Sequence, residues 1–263
     1  MDTVPGDQSL VIYPVKHVSW NEVVDWSIRL TDKVKSSGYL PDVVVAIGRG
    51  GIVVSRIICD LLDINRLIVI PIRWRETKRT VGESYLADLV RCFSRSSSIE
   101  MCIADIVKNL SIEVVFEYNI DLNGYRALAV EEISATGLHL AKARDIIKNI
   151  WRADEVKTAT LIWKAATSPL KPDYTFIETK SFVWFQFPWS RTSDYQQFAK
   201  VAIEEEYMKH GKDIWTLEDI VELFRKWYGF EPERRYLEIA LAKLIELGTL
   251  EKVNEIYRVS RGR

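Results

Sequence analysis

The sequence has no long apolar run, only three cysteines and three histidines, and no surplus of either charge, and each shortage removes a class of function. Its longest apolar stretches, such as residues 43–47 and 67–72, fall far short of a membrane span, which takes about 20 residues. The opening residues, MDTVPGDQSL, have neither the basic start nor the apolar core of a signal peptide, so a cytoplasmic location is expected. Thirty-six Lys and Arg offset 37 Asp and Glu for a formal net charge of -1. No overall field therefore draws the chain toward nucleic acid or a lipid surface. Cys59, Cys92 and Cys102 fall at no metal-ligand spacing and are expected to be reduced thiols. His17, His139 and His210 offer none of them a recognisable catalytic partner.

What is present suits one large domain, or a typical domain plus a small one, in 263 residues. Ser19 and Glu22 have the spacing of a capping box, which predicts a helix from there to about Ser36, ended by Gly38. Residues 43–47 form a continuous apolar run of strand length, the pattern of a strand covered on both faces. A helical pattern follows over residues 52–62, then a second buried strand over 67–72. The pattern loosens between residues 73 and 110, a stretch rich in Arg, Ser and Thr, where a flap that closes over a reacting centre is expected. Strand-like order returns at Val114, Val115 and Phe116 and again over residues 127–130. Residues 131–137 read as a loop, 138–150 as a helix and 158–163 as a strand. Strands alternating with helices predict an α/β fold, a mostly parallel twisted sheet with flanking helices.

The C-terminal stretch changes character. A helix from Trp215 carries Leu217, Ile220, Val221, Phe224 and Tyr228 on one face, a second helix covers residues 236–247, and two short strands flank Asn254 and Glu255. Helix, helix and hairpin is the order of a winged-helix-like α+β domain. The expected division is a first domain over residues 1–205, including an insertion at about 73–112, and a small domain over 206–263. From Gly211 onward ten Lys or Arg meet ten Asp or Glu, and the second helix sets Glu238 and Glu246 against Lys243. DNA affinity comes from neutralised phosphates, so DNA is not an expected partner of this module. Its aromatics exceed what about 50 residues bury alone, so a covering surface is expected.

Two loops carry the chemistry. Gly48-Arg49-Gly50-Gly51 joins a strand to a helix; its glycines let backbone amides approach an anion, and Arg49 adds a fixed positive charge. A tight turn would use the same glycines. The second loop, Glu131-Glu132-Ile133-Ser134-Ala135-Thr136-Gly137, places two adjacent acids at the end of a buried strand. Such acids are costly unless they meet a cation or hydroxyl donors, and the Ser-Ala-Thr-Gly turn behind them suits a phosphate. The acids could also simply cap the next helix.

Residues 130–137 resemble the phosphoribosyl diphosphate signature of the type I phosphoribosyltransferases: two acids, two variable residues, then Thr-Gly after one more position. Further segments resemble the purine branch of that family in the correct order. Residues 41–64 are similar to its pyrophosphate loop and helix, and 119–124 to the lead-in to the signature strand. Leu161-Ile162-Trp163-Lys164 resembles the strand with the base-recognition lysine. Residues 172–174 and 183–189 resemble the hood over the base, within about 165–200.

The resemblance implies a fold of that family and a Mg²⁺-dependent transfer in purine salvage. Phosphoribosyl diphosphate and a purine base would give a nucleoside monophosphate and pyrophosphate, in a homodimer. Glu131 and Glu132 would hold the ribose hydroxyls, directly or through Mg²⁺. Ser134, Ala135, Thr136 and Gly137 would surround the 5-phosphate, and Gly48, Arg49, Gly50 and Gly51 the pyrophosphate. Lys164 would reach the exocyclic group at C6 of the purine, and Trp184 or Phe185 would stack on the base.

Three departures bear on the base. Ala135 stands where 6-oxopurine enzymes often have an Asp that assists the proton on N7. Leu138 and His139 stand where the family favours Gly or Asp and then Thr or Ser, and His139 could donate to phosphate. Ser190 replaces an acid found in some guanine- and xanthine-using relatives. A base bare at C2 is therefore expected. Lys164 favours hypoxanthine and Ala135 adenine, with adenine slightly ahead. The winged-helix-like tail raises an alternative, a transcription regulator that senses phosphoribosyl diphosphate with weak or no catalysis.

Overall fold

The computed structural model describes residues 14–75, 111–181 and 183–260, together with 88, 91, 92, 101, 102, 105 and 106. The remainder of the expected flap and of the 73–112 insertion lies outside the described residues. The chain forms two compact units, one of residues 19–77 and 98–182, the other of 1–18, 78–97 and 183–263.

The first unit begins with the expected capping box. Ser19 Oγ accepts from the Glu22 amide at 3.2 Å while the Ser19 amide donates to Glu22 Oε2 at 2.8 Å. Helix α1 (Trp20–Ser36) buries Val23, Trp26, Leu30 and Val34, which recur at helical spacing. Strand β2 (Val43–Ile47) is buried along its whole length, and α2 (Gly51–Leu62) follows. The central sheet has the order β3-β2-β6-β7-β8, with every neighbouring pair parallel. Its other members are β3 (Leu67–Ile70), β6 (Arg126–Ser134), β7 (Glu155–Lys164) and β8 (Tyr174–Thr179). On one face Val43, Val45, Ile47 and Ala129 pack with Leu140, Ile147 and Trp151 in one buried cluster. Continuous apolar runs were the right signal for strands covered on both sides.

Four local expectations are corrected. Residues 67–72 are not one strand. Pro71 has no amide hydrogen for the ladder, and beyond it β4 (Ile72–Trp74) pairs antiparallel with β5 (Ile112–Val114), outside the main sheet. Residues 131–137 are not all loop: β6 runs on through the acids and stays in register with β7 as far as Ser134 opposite Trp163. The helix over 138–150 is α3 (Leu138–Asp145) followed by a wider π turn (Ile146–Ile150). The Trp151 amide closes that turn by donating to the Ile146 carbonyl at 2.9 Å. Finally, Cys92 and Cys102 are disulfide-bonded, whereas Cys59 is a buried free thiol.

In the second unit β1 (Val15–His17) pairs parallel with β9 (Trp184–Gln186). Helix α4 (Arg191–His210) leads to β10 (Ile214–Trp215), α5 (Leu217–Tyr228), α6 (Arg234–Glu246) and the hairpin β11 (Leu250–Val253) and β12 (Ile256–Val259). Helix, helix and hairpin appear as expected, with a capping box of Thr216 and Asp219 at the start of α5. The surplus aromatics of this segment are covered by α4. Tyr195 meets Phe224 edge-on at 5.5 Å, and Phe198 stacks on Tyr228 at 4.5 Å. Tyr228 Oη donates to the Phe198 carbonyl at 2.9 Å, and Trp227 Nε1 donates to Glu206 at 3.1 Å. Asp194, one turn into α4, is also buried and accepts from Ser190 Oγ at 2.7 Å. Burial pushes its carboxyl up to about 7, against hydrogen bonding from Ser190, Trp184 and Gln186.

Phe198 is fully buried among four aromatic rings, so Phe198→Ala is expected to cost about 3–5 kcal/mol in the denaturant transition of the second unit. Asp194 gives a pH dependence of definite sign. Its folded value, about 7, lies above the ordinary 3.8, so the unfolded chain releases this proton first. The stability it confers is full below that ordinary value and is lost as pH rises through about 7. Asp194→Asn should therefore gain on the wild type steadily across that window and run parallel to it above, in thermal melts taken at stepped pH.

Candidate active site

The strand order places the two glycine-bearing loops side by side. From β2 the chain passes to β3 on one side, while β6 lies on the other, with Ala46 opposite Val130. This is the point where an open parallel sheet parts its connections and leaves a crevice at the carboxyl ends of its strands. Gly48 to Gly51 leave β2 there, and β6 carries Glu131 and Glu132 at its end and gives way to residues 135–137 beside them. Lys164 ends the next strand, β7.

The loops touch closely enough to dictate residue type. A Cβ on Gly50 would lie 1.7 Å from Glu132 Oε1, and one on Gly51 would lie 2.4 Å from the Val130 carbonyl oxygen. The Gly48–Arg49 peptide is cis, and Arg49 is exposed. Glu132 is pushed up to about 8 by burial first and by the Glu131 charge second, while Arg49 opposes the rise. A second negative charge is thus hard to place here, and a cation or hydroxyl donors from a ligand would relieve the strain on it.

Glu131 is buried and its Oε1 lies 2.8 Å from His139 Nδ1. The His139 ring rests on that of Trp74, with centroids 4.6 Å apart. His139 Nε2 is buried with no hydrogen-bond partner among the described residues. Behind the acids the chain turns sharply. Gly137 has a φ of +78°, and a Cβ there would meet Ser168 Oγ at 2.8 Å. Thr136 Oγ1 accepts from the Leu138 amide at 3.3 Å, which leaves its own hydroxyl hydrogen to offer elsewhere. Ser134 Oγ lies 3.1 Å from Ser168 Oγ, so it faces the turn behind the loop. The Ala135 carbonyl accepts from Thr167 Oγ1 at 2.5 Å. Lys164 is buried, and desolvation pulls its ammonium down to about 8.

The structure therefore brings Gly48, Arg49, Gly50 and Gly51 together with Glu131, Glu132, Thr136, Gly137 and His139 on adjoining strand ends of one unit. Trp184 and Phe185 belong to the other unit. There Trp184 lies edge-on to Phe198 at 5.5 Å, and Phe185 is paired with Lys16 along β1. Sequence reasoning did not find Trp74, Thr167 or Ser168. They sit on neighbouring segments, and only strand order brings them to the site.

A family model described as a phosphoribosyl transferase domain matches residues 19–196. No curated protein matches the chain. Among solved structures it is similar to a purine phosphoribosyltransferase from Pyrococcus horikoshii Ot3, at 22% identity over 66% of this chain and 93% of that one, with a TM-score of 0.49. It is also similar to the Helicobacter pylori xanthine-guanine-hypoxanthine phosphoribosyltransferase, at 17% identity over 66% of this chain and 91% of that one, with a TM-score of 0.45. The family model spans well over half of the sequence, including both loops and Lys164, and the chain belongs to the phosphoribosyl transferase domain family.

Proposed function

We propose that the chain is a purine phosphoribosyltransferase that joins a purine base to C1 of phosphoribosyl diphosphate, with loss of pyrophosphate. One observation carries this reading: a carboxylate pair and a glycine loop that meet at adjoining strand ends, with Glu132 packed where a Gly50 side chain would be. Amides and the Thr136 hydroxyl of residues 135–137 would receive the 5-phosphate. The amides of residues 48–51, with the Arg49 guanidinium, would receive the pyrophosphate. Glu131, oriented by His139, and Glu132 would accept from the ribose hydroxyls and steady the positive charge that grows on the ribose as the leaving group departs.

The same carboxylates fit Mg²⁺, which binds through one or two carboxylates plus substrate oxygens and would neutralise the departing pyrophosphate. Lys164 would contact the group at C6 of the base. Adenine remains slightly ahead of hypoxanthine, because Ala135 brings no carboxylate to N7.

Incubation with Mg²⁺, phosphoribosyl diphosphate and each of adenine, hypoxanthine, guanine, xanthine, uracil and orotate should yield nucleotide with at least one purine and with neither pyrimidine. Turnover with a pyrimidine alone overturns the assignment. Tight binding of phosphoribosyl diphosphate with no product in any arm favours a sensor over an enzyme. In the productive arm, Glu131→Gln combined with Glu132→Gln should lower kcat by at least about a hundredfold with an unchanged circular dichroism spectrum. Undiminished turnover would remove the pair from the site.

A further inference from the structure

The turn that follows β7 is fastened to the loop proposed for the 5-phosphate. Amides of Thr167 and Ser168 both donate to the Lys164 carbonyl, at 3.1 and 2.9 Å, so residues 164–168 fold back on themselves. The reversed turn holds the neighbouring loop at three points. Thr167 Oγ1 donates to the Ala135 carbonyl at 2.5 Å, the Ser168 and Ser134 hydroxyls pair at 3.1 Å, and Ser168 Oγ fills the space beside the bare Cα of Gly137. Trp163 Nε1 donates to the Ser168 carbonyl at 3.1 Å and keeps the turn closed from below.

We propose that Thr167 is a positioning residue for the phosphate loop, acting through the Ala135–Thr136 peptide. That peptide is trans, since Gly48–Arg49 is the one cis bond among the described residues. Across a planar trans peptide the carbonyl and the following amide point in opposite directions. A carbonyl of Ala135 drawn toward Thr167 therefore turns the Thr136 amide away from the β7 turn, to the side on which an anion would sit. Without the Thr167 hydroxyl, the half-buried Ala135 carbonyl loses its donor, and the peptide is free to rotate. The amide is then no longer held in place before the ligand arrives, and binding must bear the cost of ordering it. Because Lys164 supplies the carbonyl that shapes the turn, the phosphate loop and the base-reading strand end share one hydrogen-bonded unit. This role rests on reading residues 135–137 as the 5-phosphate loop.

The test compares the full-length protein with Thr167→Val, which keeps shape and loses the hydroxyl, and Thr167→Ser, which keeps the hydroxyl. Affinities for ribose 5-phosphate and for pyrophosphate, each with Mg²⁺, are measured by calorimetry. The Val variant should bind ribose 5-phosphate about three- to tenfold more weakly while holding pyrophosphate as the wild type does. The Ser variant should return to within about twofold of the wild type. An unchanged ribose 5-phosphate affinity in the Val variant overturns the proposal, as does a Ser variant as weak as Val. Parallel weakening of both ligands overturns it too, because it would report general damage. Wild-type protein that binds pyrophosphate but not ribose 5-phosphate refutes the reading of the loop itself, and the positioning role with it.

Discussion

A carboxylate packed against a residue that has no side chain is the constraint around which the sheet-bearing unit is arranged. The Glu132 carboxylate occupies the space that a Cβ at Gly50 would claim, so any side chain there would have to displace the acid. That contact requires β2 and β6 to be neighbours in register, with Val43 opposite Ala127 and Ala46 opposite Val130. Crowding also has an electrostatic outcome. Burial and the adjacent Glu131 make a second negative charge expensive, and Arg49 compensates for only part of it. The site therefore holds a standing demand for positive charge and hydroxyl donors that a sugar diphosphate and its cation can meet.

Much of this was legible in the sequence, for physical reasons that differ by element. Residues 43–47 had the length and apolar continuity that suit a covered strand, and Ser19 with Glu22 announced a helix start because a cap works through neighbours in the chain. Both loops were legible because glycine and paired acids are costly anywhere else. Pro71 was visible, yet its power to divert the chain from the main sheet into a second pairing depended on Val114, some forty residues away. The Glu131 and His139 contact spans a strand-to-helix turn that follows no period, and Thr167 reaches Ala135 only because β7 lies beside β6. Contacts made by strand order are invisible to any local pattern.

The second unit runs helix, helix and hairpin, and its exposed charges are of both signs. On α6 the exposed residues include Arg234, Arg235 and Lys243, but also Glu238 and Glu246, and the hairpin presents Val253 and Ile256 to solvent. Phosphate neutralisation needs cations gathered on one face, and these are interleaved with acids. The buried acids of α4 follow a different rule. Glu206 is held by Trp227 and Lys226 and Glu205 by Arg91, whereas Asp194 has no cation among its hydrogen-bond donors and its carboxyl rises.

Helix α4 also sets a timetable. Its aromatic face is complete once Phe198 has been made, but the rings that cover it, Phe224 and Tyr228, come some thirty residues later. At about 5–20 residues per second of synthesis, that face stays uncovered on the ribosome for a few seconds. Hydrophobic collapse is far faster, so for that interval the nascent chain has a greasy helix with only part of its native cover, Trp184, to put against it. The span between α4 and α5 is thus the stretch of synthesis in which this chain is most open to non-native contacts.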